Sequence, residues 1–182
     1  MNIPNFITLL RILLVPLLVI FIVERQTDLA LLVFILAGAG DALDGFLARI
    51  LKQQTEIGAF IDPIADKLLI SAASITLAVQ KIMPAWLAIV IVSRDIIILG
   101  GIAVLIINNN SPAIKPTYLS KLTTFVLLVT ILFFLGQSFV TPFLYLEKYL
   151  VTLAVLLTIL SGFHYVYLGF KLLDNQEGTE RK

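Results

Sequence analysis

The chain has no cysteine, one histidine and few charges. Without cysteine there are no disulfides, no thiolate nucleophile and no zinc–thiolate site. A single histidine, His164, rules out a multi-histidine metal centre within one chain. Charged residues are 14% of the total and the formal net charge is +1, whereas a soluble domain carries charge on about a quarter of its positions. So small a net charge offers no basic surface for nucleic acid, and no nucleic-acid partner is expected. The start, Met1-Asn2-Ile3-Pro4-Asn5, lacks a basic stretch, and no small-residue cleavage pattern follows the first apolar run. That run is therefore expected to remain in the mature protein. No internal repeat is evident.

Apolar residues dominate instead, at 59% of 182 positions. The length suits one domain, and the composition favours a bilayer as the solvent. A membrane-spanning helix needs ~20 mostly apolar residues. Six such stretches are predicted: Ile7 to Val23, Leu29 to Leu51, Ile57 to Gln80, Pro84 to Ile107, Leu119 to Val140 and Tyr149 to Leu173. Charged or turn-forming residues separate them, as at Glu24 to Asp28, Lys81, Asn108 to Pro112 and Glu147-Lys148. Backbone groups in lipid must pair within their own segment, and these runs are too long and uniformly apolar for barrel strands. The expectation is an all-α integral membrane protein with six transmembrane helices. Residues 1–173 form its membrane domain and residues 174–182 an irregular polar tail. The residues after Pro4 read as the start of an interfacial helix.

Six spans place both termini on one side. Arg25, Lys81 and Lys148 then fall on the far side, and the other basic residues lie on the terminal side or in the helix halves nearest it. Basic residues favour the cytoplasmic side, so the termini are expected there, in a bacterial inner membrane.

The acids are not scattered. Asp41 and Asp44 are three apart, and Asp62 and Asp66 four apart, so each pair shares a helix face. They sit in consecutive spans joined by a short link, and antiparallel packing would bring both pairs to a similar depth. An ionisable residue inside a span costs a few kcal/mol and is a functional candidate by default. Four converging carboxylates repel one another, which leaves protonation of some or binding of cations. Hard divalent cations such as Mg²⁺ or Mn²⁺ prefer such oxygen ligands, and four acids suit two ions. Gly38, Gly40, Gly45, Ala48, Gly58, Ala59 and Ala65 are small enough to allow helices and ligand to approach closely.

The run Asp41-x2-Asp44-Gly45-x2-Ala48-Arg49-x8-Gly58-x3-Asp62-x3-Asp66 resembles the signature of the CDP-alcohol phosphotransferase family at all its fixed positions. The six-span layout resembles that family too. The resemblance implies a helical membrane fold, a homodimer and an active site open to the cytoplasm. It implies that Asp41, Asp44, Asp62 and Asp66 hold two Mg or Mn ions, with Asp66 also the general base. CDP-diacylglycerol would be held by Asp41, Gly45, Ala48, Arg49 and Gly58. Glycine permits the nucleotide to lie against the backbone, and an arginine can fork onto diphosphate oxygens. Simpler readings exist: Gly45, Ala48 and Gly58 as packing residues, and Arg49 as a cation reaching for the interface.

A second basic set, Arg94, Lys115 and Lys121, lies on the same side and would orient an acceptor's phosphate. Against this, Arg94 is followed by Asp95 and the two can pair, while Lys115 and Lys121 can be ordinary markers of sidedness. Lys67 reads equally as an acid's counter-ion or a ligand contact. Two branches of the family fit. Asn2-Ile3-Pro4-Asn5-x2-Thr8-x2-Arg11 and Asp62-Pro63-x-Ala65-Asp66-Lys67 resemble both glycerol 3-phosphate and phosphatidylglycerol users. Lys115-Pro116-Thr117-x2-Ser120-Lys121 and Ser93-Arg94-Asp95 look closer to the cardiolipin-forming branch. The reading adopted is transfer of a phosphatidyl group from CDP-diacylglycerol to glycerol 3-phosphate with release of CMP. Phosphatidylglycerol is the alternative acceptor. His164 reads as a packing residue, and Trp86 as an interface anchor. A cation transporter would spread its acids through the membrane's depth and break its spans in two matching halves, neither of which is seen.

Overall fold

The computed structural model describes the backbone of residues 3–51, 56–107, 117–137 and 145–180, and the side chains of residues 9–40, 65, 67–101, 117–137 and 145–168. It contains helices α1 (Ile3–Val23), α2 (Thr27–Leu51), α3 (Glu56–Val79), α4 (Ala85–Ile107), α5 (Tyr118–Leu135) and α6 (Tyr145–Glu180), with no strand among the described residues.

Each predicted apolar stretch is a helix, with differences at the ends. α1 starts at Ile3 and runs unbroken through Pro16, so the N-terminal stretch is not a separate interfacial piece. Pro4 falls in its first turn, where a missing N–H costs nothing. α5 stops at Leu135, short of the expected Val140, because Gly136 caps it by donating its N–H to Leu132 O at 2.9 Å. α6 continues through Asp174 to Glu180, where an irregular tail was expected. Extending an existing helix by one residue costs little, and Gln176 and Glu177 are good helix formers.

α1 and α3 end in the same way. Arg25 and Lys81 adopt left-handed backbone, with φ of 61° and 60°. The following amides bond back in the pattern of a Schellman cap: Gln26 N to Phe21 O, and Ile82 N to Leu77 O, both at 2.9 Å. A side chain in this conformation costs roughly 1–2 kcal/mol that glycine avoids. Lys81→Gly is therefore expected to stabilise the fold by about 0.5–1 kcal/mol once the unfolded chain's added freedom is subtracted. Thermal melting in detergent reads this, and a lower melting point would contradict the capping account.

α1 packs against both α2 and α3; α6 packs against α4 and α5; α3 joins the two groups through α4 and α5, and α2 through α5. Gln80 Nε2 donates to Val23 O at 3.4 Å, which sets the far ends of α1 and α3 at one level. Leu18 and Ile22 of α1, Val33 and Phe34 of α2, Leu69 and Leu77 of α3, Ile91 of α4, Ile131 and Phe134 of α5 and Ala154 of α6 share one core.

The surface inverts the soluble pattern. Leu13, Ile89, Phe125 and Phe163 are exposed, along with many other large apolar side chains. The interior holds Arg11, Ser74, Arg94, Asp95, Thr123, Thr130, Thr158 and Ser161. The buried threonines answer their hydroxyls locally, Thr130 to Val126 O at 2.7 Å and Thr158 to Ala154 O at 2.6 Å. Thr123 donates to Leu119 O at 2.8 Å and also lies 3.2 Å from Leu157 O on α6.

Candidate active site

The sequence puts the acids on α2 and α3, and both stretches are helical. The side chains at Asp41, Asp44, Gly45, Ala48, Arg49, Gly58, Asp62 and Asp66 lie outside the described residues, as does Lys115. What is described is the stripe each acid continues. On α2 the buried residues are Ala30, Val33, Phe34 and Ala37. Steps of three and four carry that stripe from Ala37 to positions 41 and 44. On α3 they include Ala65, Leu69, Ala73 and Leu77. The same steps backward from Leu69 reach positions 66 and 62. Positions 41 and 44, and 62 and 66, are thus in helical register with those described stripes.

Level follows from the helical rise. Asp41 is fourteen residues from Thr27 (41 − 27), and Asp66 thirteen from Val79 (79 − 66). The two far ends are tied through α1, so backbone positions 41 and 66 lie within about one helical turn of each other along the bundle. The donor set is carboxylate oxygen throughout, which fits hard divalent cations and not soft ones. At Gly38, one turn from Asp41, an added Cβ would find nothing within 4 Å among the described residues.

Beside Asp66 the structure builds a buried ionic network. Lys67 Nζ of α3 and Arg94 Nη1 of α4 each donate to Asp95 Oδ1 at 2.6 Å. Arg94 Nη2 donates to Ser120 Oγ of α5 at 2.9 Å and to Ser161 Oγ of α6 at 3.3 Å. Four helices therefore meet on one guanidinium and one carboxylate. Local structure explains the placement of Ser120. Thr117 is the N-cap of α5, and its hydroxyl accepts from Ser120 N at 3.3 Å, as a capping threonine does. Among the described residues, Asp95 Oδ2 and Arg94 Nε are buried with no hydrogen-bond partner.

The expected basic set is thus divided. Arg94 is 5% exposed and pairs with Asp95, the alternative that sequence left open. Lys67 is counter-ion to Asp95. Lys121 is exposed, with Nζ 6.0 Å from the centre of the Tyr118 ring. Two members of the network, Ser120 and Ser161, were not foreseen as partners of Arg94. A signal existed for Ser161, which continues the buried stripe of Ala154 and Thr158.

The family profile of CDP-alcohol phosphatidyltransferases matches residues 1–160. The chain belongs to the CDP-alcohol phosphatidyltransferase family. It is 33% identical over 181 residues to the CDP-diacylglycerol–glycerol-3-phosphate 3-phosphatidyltransferase of Bacillus subtilis, covering 90% of this chain and 93% of that one. It is 44% identical over 103 residues to the enzyme of the same name from Haemophilus influenzae, covering 53% of this chain and 55% of that one. It is also 34% identical over 146 residues to human cardiolipin synthase (CMP-forming), covering 71% and 48% respectively. The chain spans about half the length of the Haemophilus and human relatives. CDP-alcohol phosphatidyltransferases are membrane-associated and generally use divalent metals. Among the described residues, Tyr118–Leu135 and Tyr145–Leu168 are long and apolar enough to cross a membrane.

Proposed function

We propose that the chain transfers the phosphatidyl group of CDP-diacylglycerol to glycerol 3-phosphate, releasing CMP. The carrying observation is the spacing of Asp41, Asp44, Asp62 and Asp66 along two helical stretches, α2 and α3, in a chain whose residues 1–160 match the family. The Bacillus relative, matched over nearly its full length, supports this acceptor. Six spans, cytoplasmic termini, a membrane domain over residues 1–173 and a homodimer belong to the same reading. The many exposed large apolar side chains of the bundle support it, since a soluble monomer rarely exposes so much apolar surface.

In the reaction the acceptor hydroxyl oxygen attacks the phosphorus that carries the diacylglycerol. The bond from that phosphorus to CMP breaks, and CMP leaves with the electron pair. Asp41, Asp44, Asp62 and Asp66 would hold two divalent ions, which supply charge stabilisation to the donor's diphosphate when bound. Asp66 takes the hydroxyl proton. Gly45, Ala48 and Gly58 leave room for the nucleotide, and Arg49 forks onto diphosphate oxygens. Arg94, Lys115 and Lys121 present positive charge to the acceptor's phosphate. Arg94 acts there from a fixed position, because Asp95, Ser120 and Ser161 already hold its guanidinium. Positioning and charge are the main demands of phosphoryl-type transfer.

A second reading, with phosphatidylglycerol as acceptor, is favoured by the human relative and by Ser120, whose hydroxyl accepts from Arg94. CMP release from purified protein in detergent, with Mg²⁺ or Mn²⁺ and each acceptor supplied separately, tests both. Release with glycerol 3-phosphate alone is the expected result. Release with phosphatidylglycerol alone would transfer the assignment to cardiolipin synthesis.

Lys121→Ala is expected to raise the KM for the acceptor about tenfold, the effect of losing roughly 1.4 kcal/mol, and to change the KM for CDP-diacylglycerol little. Steady-state kinetics with each substrate varied checks this. An equal effect on both would remove Lys121 from the acceptor pocket.

A further inference from the structure

Arg11 is 1% exposed, the largest fully buried side chain in the described residues, and it lies inside an apolar helix. A charge so placed is costly unless other charges compensate it. It is engaged by neighbouring groups and stands on the buried stripe of α1 with Leu18 and Ile22. α1 packs against α2 and α3, the two helices that carry the acids. Arg11 is twelve residues from Val23 (23 − 11), and Val23 is bonded to Gln80 at the far end of α3. Twelve residues back from Gln80 is position 68, and twelve forward from Thr27 is position 39. Arg11 therefore enters at the depth of Asp41 and Asp66, within about one turn of both.

On α3 and α4, Lys67 and Arg94 both donate to Asp95, and Lys67 makes a further contact besides. We infer that Arg11 is the fixed counter-charge of the acid cluster, a positioning residue that holds the acid-bearing stretches of α2 and α3 together against their own repulsion. Bound divalent cations take over part of that compensation, so Arg11 matters most in the metal-free protein. This last point rests on the proposed reaction's metal site; the pairing itself does not.

The test is thermal melting of the full chain in detergent, with metal removed and with Mn²⁺ added. Arg11→Met is expected to lower the metal-free melting temperature on the order of 10 °C, as loss of one partner from a buried pair does. Adding Asp41→Asn or Asp66→Asn is expected to restore at least half of that loss. Asp28→Asn, on an exposed residue at the opposite end of α2, is expected to restore none. Arg11→Lys keeps the charge and is expected to melt between wild type and Arg11→Met; it carries the same cycle if Arg11→Met does not fold. Mn²⁺ is expected to raise the melting point of the Arg11 variants more than that of wild type. Strict additivity of Arg11 with both acids overturns the pairing. Restored melting with an equal Mn²⁺ response overturns the shared compensation. A wild type that ignores Mn²⁺ strikes at the metal reading, and the mutant cycle still decides the role of Arg11.

Discussion

Asp66→Asn is expected to lower transfer by about 10²–10⁴-fold, the usual contribution of a general base, while donor binding persists. Asparagine matches aspartate in shape and keeps one carbonyl oxygen for a cation. It cannot take a proton from the acceptor hydroxyl. The substitution therefore separates holding the donor from activating the nucleophile. Loss of CMP release together with retained CDP-diacylglycerol binding is the signature of that separation. Near-normal turnover would remove Asp66 from the base role, and loss of both properties would make it a ligand alone.

The largest effect on stability is expected at Asp95. Its carboxylate is 4% exposed, and one oxygen, Oδ1, serves Lys67 and Arg94 together at 2.6 Å. Asp95→Ala takes that carboxylate away from two cations in an apolar interior. Breaking a buried pair in this way costs about 3–5 kcal/mol, more than the pair itself contributes, because the remaining charge stays buried. Since the network links α3, α4, α5 and α6, the loss should appear as one cooperative drop in melting temperature. Adding Lys67→Met to Asp95→Ala should recover part of it by removing one of the two cations. A cost below about 1 kcal/mol for Asp95→Ala would mean that Ser120 and Ser161 hold Arg94 unaided.

The six helices were legible because each is a long apolar run, longer than a strand, and the breaks carry charge or turn residues. The ends were less legible. Val140 belongs to an apolar stretch, yet Gly136 caps α5 first by returning its N–H to Leu132 O. Asp174 to Glu180 looked like a tail, yet α6 continues through it, since polarity alone does not stop a helix already formed. The acids were legible from spacing, because three- and four-residue steps define a helix face in any context. Lys67 was not. Its bond to Asp95 reaches 28 residues along the chain to another helix, and only tertiary packing brings the two together. Ser120 was noticed for its place in a motif, but its bond to Arg94 joins residues 26 apart on two helices, which spacing alone does not reveal.

The central claim is that Asp41, Asp44, Asp62 and Asp66 form a metal-dependent site for CDP-diacylglycerol. Its most direct test is a titration of donor binding to purified protein, with and without Mn²⁺, in wild type and Asp44→Ala. The account predicts that wild type binds the donor only with metal present and that Asp44→Ala loses this metal-dependent binding. Equal donor affinity with and without metal, or an unchanged affinity in Asp44→Ala, would contradict it.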